Sequence, residues 1–93
     1  MAQKKTTATP WGSATVVEEV SFPQSADDKE FASILQLLEI GSGERLLRFA
    51  YSTGGVARRG PVTIRVRDLT KLRRLVSKRR ELAEAVRTLA GEA

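Results

Sequence analysis

The chain has 93 residues, of which 41% are apolar, 29% charged and 5% aromatic, the profile of one small domain with an aliphatic core. It contains no Cys and no His, which excludes disulfides, the usual zinc, haem and iron–sulfur ligands, the commonest general base and the thiol nucleophile. Neither an enzyme, a cofactor nor a metal site is expected, and dimerisation is the remaining means of supplementing a core this small.

Residues 1–12 are Thr- and Ala-rich, lack periodicity and contain Pro10, so they are expected to form a flexible tail, with Trp11 packing against the rim of the core. A single domain is expected over residues 13–90. Within residues 13–22, Thr15, Val16, Val17 and Val20 predict a strand ended by Pro23, and residues 24–30 then form a polar turn or loop. Residues 31–40 fit two patterns. Phe31, Ile34, Leu35 and Leu38 lie at helical spacing, yet the segment also divides into two apolar strand faces. Gly41-Ser42-Gly43 followed by Arg45-Leu46-Leu47-Arg48-Phe49-Ala50-Tyr51 decides for a strand, because consecutive antiparallel strands pair across such a turn.

Gly54-Gly55 opens a loop that ends at Arg58-Arg59-Gly60-Pro61, and Val62-Thr63-Ile64 is a short strand. Beyond it, Leu69, Leu72, Leu75, Val76, Leu82, Ala83, Val86 and Leu89 recur at spacings of three and four and predict an amphipathic helix. Its stripe is interrupted at Ser77-Lys78-Arg79-Arg80, which leaves open a bend or a break there, and Gly91 is its stop.

Charge is distributed unevenly. Residues 1–43 carry a net −3, residues 44–80 a net +10 and residues 81–93 a net −2. Eleven of the sixteen basic residues are Arg, whose planar fork suits phosphate, so a polyanionic partner is expected. No run of 18 apolar residues occurs, and Met1-Ala2-Gln3-Lys4-Lys5 leads into Thr and Pro. A membrane span and a signal peptide are therefore not expected, and the expected location is cytoplasmic.

The order of elements, with Arg58-Arg59-Gly60-Pro61-Val62-Thr63-Ile64 running into Leu69-Thr70-Lys71-Leu72, resembles the positive cofactor 4 family of transcriptional coactivators and its bacterial relatives. The resemblance covers about residues 13–88. It places Val62, Thr63 and Ile64 on the short strand, and Leu69 where the family usually carries Trp. It implies an α+β fold in which a four-stranded antiparallel curved sheet is followed by a C-terminal helix (ββββα). It further implies a homodimer that binds single-stranded DNA across its strands.

Such binding needs cations that track phosphates and aromatic faces on which bases stack. The candidates are Arg45 and Arg48 on the third strand, Arg58 and Arg59 in the loop and Arg65 at the exit of the sheet, with Phe49 and Tyr51 for stacking. Leu47, Phe49 and Tyr51 share one strand face and Leu46, Arg48 and Ala50 the other, which leaves open the face that meets nucleic acid. Arg73, Arg74, Lys78, Arg79 and Arg80 form a second basic group on the helix, some of it available to pair with Glu81 and Glu84. The expected function is sequence-tolerant single-stranded DNA or RNA binding by a homodimer, in transcription regulation or DNA maintenance, with no small-molecule substrate. The alternative is a dimeric protein-interaction module that binds no nucleic acid.

Overall fold

A computed structural model describes residues 5–53, 56–57 and 61–91. The architecture is α+β: strands β1 (Thr6–Thr9), β2 (Gly12–Ala26), β3 (Lys29–Ile40), β4 (Arg45–Thr53), β5 (Val56–Ala57) and β6 (Val62–Arg65) precede helices α1 (Leu69–Val76) and α2 (Arg80–Ala90). All strand pairs are antiparallel, in the order β1-β2-β3-β4. The outer edge of β4 is shared, with β5 against Ser52 and Thr53 and β6 against Leu46 to Phe49, so the two short strands form one interrupted fifth row. The sheet is therefore one row wider than the expected four strands.

The additional row is β1. Residues 6–9, expected to lie in a flexible tail, pair Thr6 with Thr15 and Thr9 with Gly12 across a Pro10-Trp11 turn. Thr9 Oγ1 locks that turn, donating to the Gly12 carbonyl at 2.7 Å and accepting the Trp11 N–H at 3.1 Å. The turn or loop expected over residues 24–30 is narrower than expected: β2 runs past Pro23 to Ala26, turns only at Asp27-Asp28 and returns as β3. Beyond Thr15 and Val16, β2 has no β1 neighbour, and proline is tolerated on such an edge because no ladder hydrogen bond need be lost. Asp27 takes the left-handed conformation, φ 55°, which an Asp tolerates better than most residues.

Residues 31–40 form a strand, as the hairpin argument requires. Gly43, at φ 91°, closes the turn to β4 by donating its N–H to the Ile40 carbonyl at 2.9 Å, and the Ile40 N–H reaches the Glu44 carbonyl at 3.0 Å. Because β3 is paired on both sides, apolar residues on both of its faces find neighbours. The ladder is irregular between Val16 and Glu18, where β2 carries one extra residue. Such a bulge bends its strand and increases the local twist.

The inward face of the curl holds the sheet's buried core: Ala14, Leu38 and Leu46, with Val16 and Ile40 packed against them. Leu38 and Leu46 are fully buried, each stabilising the fold by about 1.5–3 kcal/mol. On the outward face, Leu47, Phe49 and Ile64 line a groove of about 400 Å³ together with Leu69, Leu72 and Val86 of the helices. The C-terminal helical stripe is broken into two helices at its polar interruption. Ser77 Oγ donates to the Arg74 carbonyl at 2.8 Å, the Arg79 N–H bonds back to the Val76 carbonyl at 2.8 Å, and Arg79 itself is extended. The polar run Ser77-Lys78-Arg79 offers no apolar residue to hold a continuous helix against the sheet. Gly91, at φ 81°, ends α2.

The fold leaves many large apolar side chains uncovered, among them Val20, Phe22, Val62, Leu75, Leu82 and Leu89. On α2 only Ala83 is buried, while Leu82, Val86 and Leu89 of the same stripe are exposed. Among the described residues, no helix is long and apolar enough to cross a membrane.

Candidate nucleic-acid interface

Strand alternation divides the candidate residues between two faces. Arg48 pairs across with Gln36, and Leu46 with Leu38 and Arg65, so Arg48 and Arg65 share the concave face with the core. Arg45, Phe49 and Tyr51 point to the convex face. Arg58 and Arg59 lie outside the described residues.

On the concave face a chain of polar side chains crosses four strands. Arg48 donates from Nε to Gln36 Oε1 at 2.7 Å and from Nη1 to Thr7 Oγ1 at 3.0 Å. Gln36 Nε2 donates to Glu19 Oε1 at 2.7 Å, and Lys5 Nζ to Glu19 Oε2 at 2.9 Å. In a flat sheet β1 and β4 would lie about 14 Å apart, three strand spacings. The contact between Arg48 and Thr7 thus depends on the curl as well as on the length of the arginine. Gln36 is buried with both ends of its amide satisfied, and so fixes the direction of the Arg48 guanidinium. The Lys5 and Gln36 hydrogen bonds, with the positive charge of Arg48, hold the Glu19 carboxyl below the usual carboxylate range.

Arg65 closes the same face at its other end. Its Nε lies 3.2 Å from Asp68 Oδ2, and its guanidinium carbon is 5.6 Å from the centre of the Trp11 ring. Trp11 belongs to the turn between β1 and β2 and Arg65 to β6, so this contact joins opposite margins of the sheet. Trp11 keeps 39% of its surface exposed, and its ring is available beside the Arg65 cation.

The convex face has a different character. Arg45 is paired with Glu39 at 3.0 Å. Tyr51 meets the Phe31 ring edge-on, centroids 6.3 Å apart and planes at 80°, beside Lys29 and Thr53. Val20, Phe22, Phe49 and Tyr51 remain exposed on this face. The sequence candidates therefore form no single cluster: Arg48 and Arg65 are brought together with Lys5, Thr7, Trp11, Glu19 and Gln36, which sequence reasoning does not assign to a site. The helix cations Lys71, Arg73, Arg74, Lys78 and Arg79 are exposed, and Arg80 lies 3.9 Å from Glu84. Among the described residues no group of three or more His, Cys, Asp or Glu could hold a metal ion.

Comparison with protein-family models, with curated proteins and with solved structures returns no significant match.

Proposed function

We propose that the protein is a homodimer of the positive cofactor 4 type that binds single-stranded nucleic acid, DNA or RNA, along its concave face without sequence preference. The observation that carries this reading is the separation of surfaces. Arg48, Arg65 and Lys5 stand with Thr7 and the Trp11 ring inside the curl, while the uncovered apolar side chains lie on the convex face and the helices. Cations that track a phosphate backbone and an aromatic face beside them are what sequence-tolerant binding requires. Arg58 and Arg59, which precede β6 in the sequence, are two further cations expected to meet the same strand.

The uncovered apolar side chains support the dimer. The stripe Leu82, Val86 and Leu89 of α2 and the groove lined by Leu47, Phe49 and Ile64 form an apolar face that a second copy would cover. This face also favours the second reading, a dimeric protein-interaction module that binds no nucleic acid.

The test is amide and guanidinium NMR during titration with oligothymidylate. The proposal expects resonances of Thr7, Trp11, Arg48 and Arg65 to move together, with α2 unaffected. Shifts confined to Lys71 through Arg80 would move the interface to the helices, and no shifts at all would favour the interaction module.

A further inference from the structure

We propose that Glu19 is an internal competitor for a phosphate site in the concave groove, its carboxylate occupying Lys5 so that a bound strand's phosphodiester must displace it. The inference rests on the nucleic-acid reading and specifies how that surface is regulated. Lys5, Thr7, Glu19, Gln36, Arg48 and Ser52 line a groove of about 250 Å³, several times the roughly 30 Å³ that one liquid water occupies.

Arg48 is positioned by Gln36 and Thr7, which use Nε and Nη1; among the described residues Nη2 has no hydrogen-bond partner. Lys5 is the second cation, and its ammonium bonds to Glu19 at 2.9 Å although 72% of the Lys5 side chain is exposed. The groove thus contains two cations and one carboxylate, and the carboxylate is placed where an anionic ligand of Lys5 would sit. Glu19 stays ionised at neutral pH, because the contacts that hold it also favour its charged form. Arg48 makes no direct bond to Glu19, which reaches it only by accepting from Gln36. Removing the charge while keeping an acceptor oxygen for Gln36 should therefore free Lys5 without disturbing Arg48.

A purely structural role for Glu19, bracing β1 against β2, predicts the opposite effect: a looser sheet and weaker binding. Glu19→Gln separates the two, since the new side chain still offers an oxygen to Gln36 Nε2 but no longer pairs with an ammonium. Affinity for labelled oligothymidylate at low salt should rise about fourfold, the factor from removing one unit charge about 5 Å away in a water-like dielectric. The slope of log affinity against log salt should stay that of the wild type, because Lys5 meets the same phosphate in both proteins. The added Lys5→Met substitution should erase the affinity gain and lower the slope by about 0.7. Inorganic phosphate is the independent probe, followed by the Arg48 Nε–H resonance, which should saturate at lower phosphate in the variant. In the wild type, the Glu19 carboxyl carbon should shift with phosphate because it loses Lys5.

Unchanged or weaker binding of both probes in Glu19→Gln, with circular dichroism intact, overturns the proposal. A Glu19 resonance that stays still while Arg48 responds also overturns it, and needs no variant. In either case the nucleic-acid reading stands if wild-type protein still saturates with oligothymidylate. Phosphate responses as predicted, with no oligonucleotide binding by either protein, would keep the competitor and refute the nucleic-acid reading.

Discussion

Leu89→Gln isolates the part of the account that concerns the dimer. Leu89 lies on α2 with 68% of its surface exposed in the protomer, so replacing it should scarcely affect the protomer's own packing, and Gln is nearly as good a helix former as Leu. Full burial of a leucine contributes about 1.5–3 kcal/mol. Two thirds of that remains for a partner to bury, about 1–2 kcal/mol per side chain. Twofold symmetry presents the residue twice, so the dimer should weaken by roughly 2–4 kcal/mol, or about 30- to 1,000-fold in its dissociation constant. Sedimentation equilibrium over nanomolar to micromolar concentrations measures this directly, with helix content from circular dichroism as the control. A wild type that sediments as a monomer at micromolar concentration, or a variant with unchanged dissociation constant, would refute the reasoning.

Three further outcomes are expected. Arg58→Ala with Arg59→Ala should lower the salt slope of oligothymidylate binding by about 0.7 for each phosphate that is no longer neutralised, with the fold retained; an unchanged slope removes the loop from the interface and turns attention to the helix arginines. Trp11→Ala should cost about 1–3 kcal/mol of binding if its ring carries a base, whereas Tyr51→Ala, on the convex face, should leave affinity within about twofold; fluorescence anisotropy distinguishes them, and the reverse ranking would place the strand on the convex face. The Glu19 carboxyl is depressed below its ordinary 4.5 in the folded protein, so its contribution to stability is complete above about pH 4.5 and lost as pH falls through the lowered value. Thermal melts of wild type and Glu19→Gln should therefore converge towards acid pH and separate above it, and parallel profiles would show that the charge contributes nothing.

Much of the sheet is legible in the sequence because its cues are local. Gly41-Ser42-Gly43 announces the β3–β4 hairpin and settles a segment whose own spacing slightly favours a helix. β1 is not legible: Thr6 to Thr9 carry no alternation, and their strand exists through pairing with residues 12–15 across the Pro10-Trp11 turn. Pro23 reads as a terminator because proline breaks an interior ladder, but the end of β1 leaves that stretch of β2 on an edge, a fact available only from the topology. The parity of Arg45 and Arg48, three residues apart, does place them on opposite strand faces from sequence alone. What sequence cannot supply is the direction of curl, which decides that Arg48, and not Arg45, enters the groove. Lys5, Glu19 and Gln36 escape notice for the same reason, since the network they share with Arg48 joins residues as far as 41 apart and closes only when the sheet bends.

The most direct test of the central claim is anisotropy titration of labelled oligothymidylate with wild-type protein at 50 and 200 mM salt. With five phosphate contacts, from Lys5, Arg48, Arg65, Arg58 and Arg59, counterion release predicts saturable binding that weakens by about 130-fold between the two concentrations. Absence of saturable binding at the lower salt, or binding indifferent to the change, would contradict the claim.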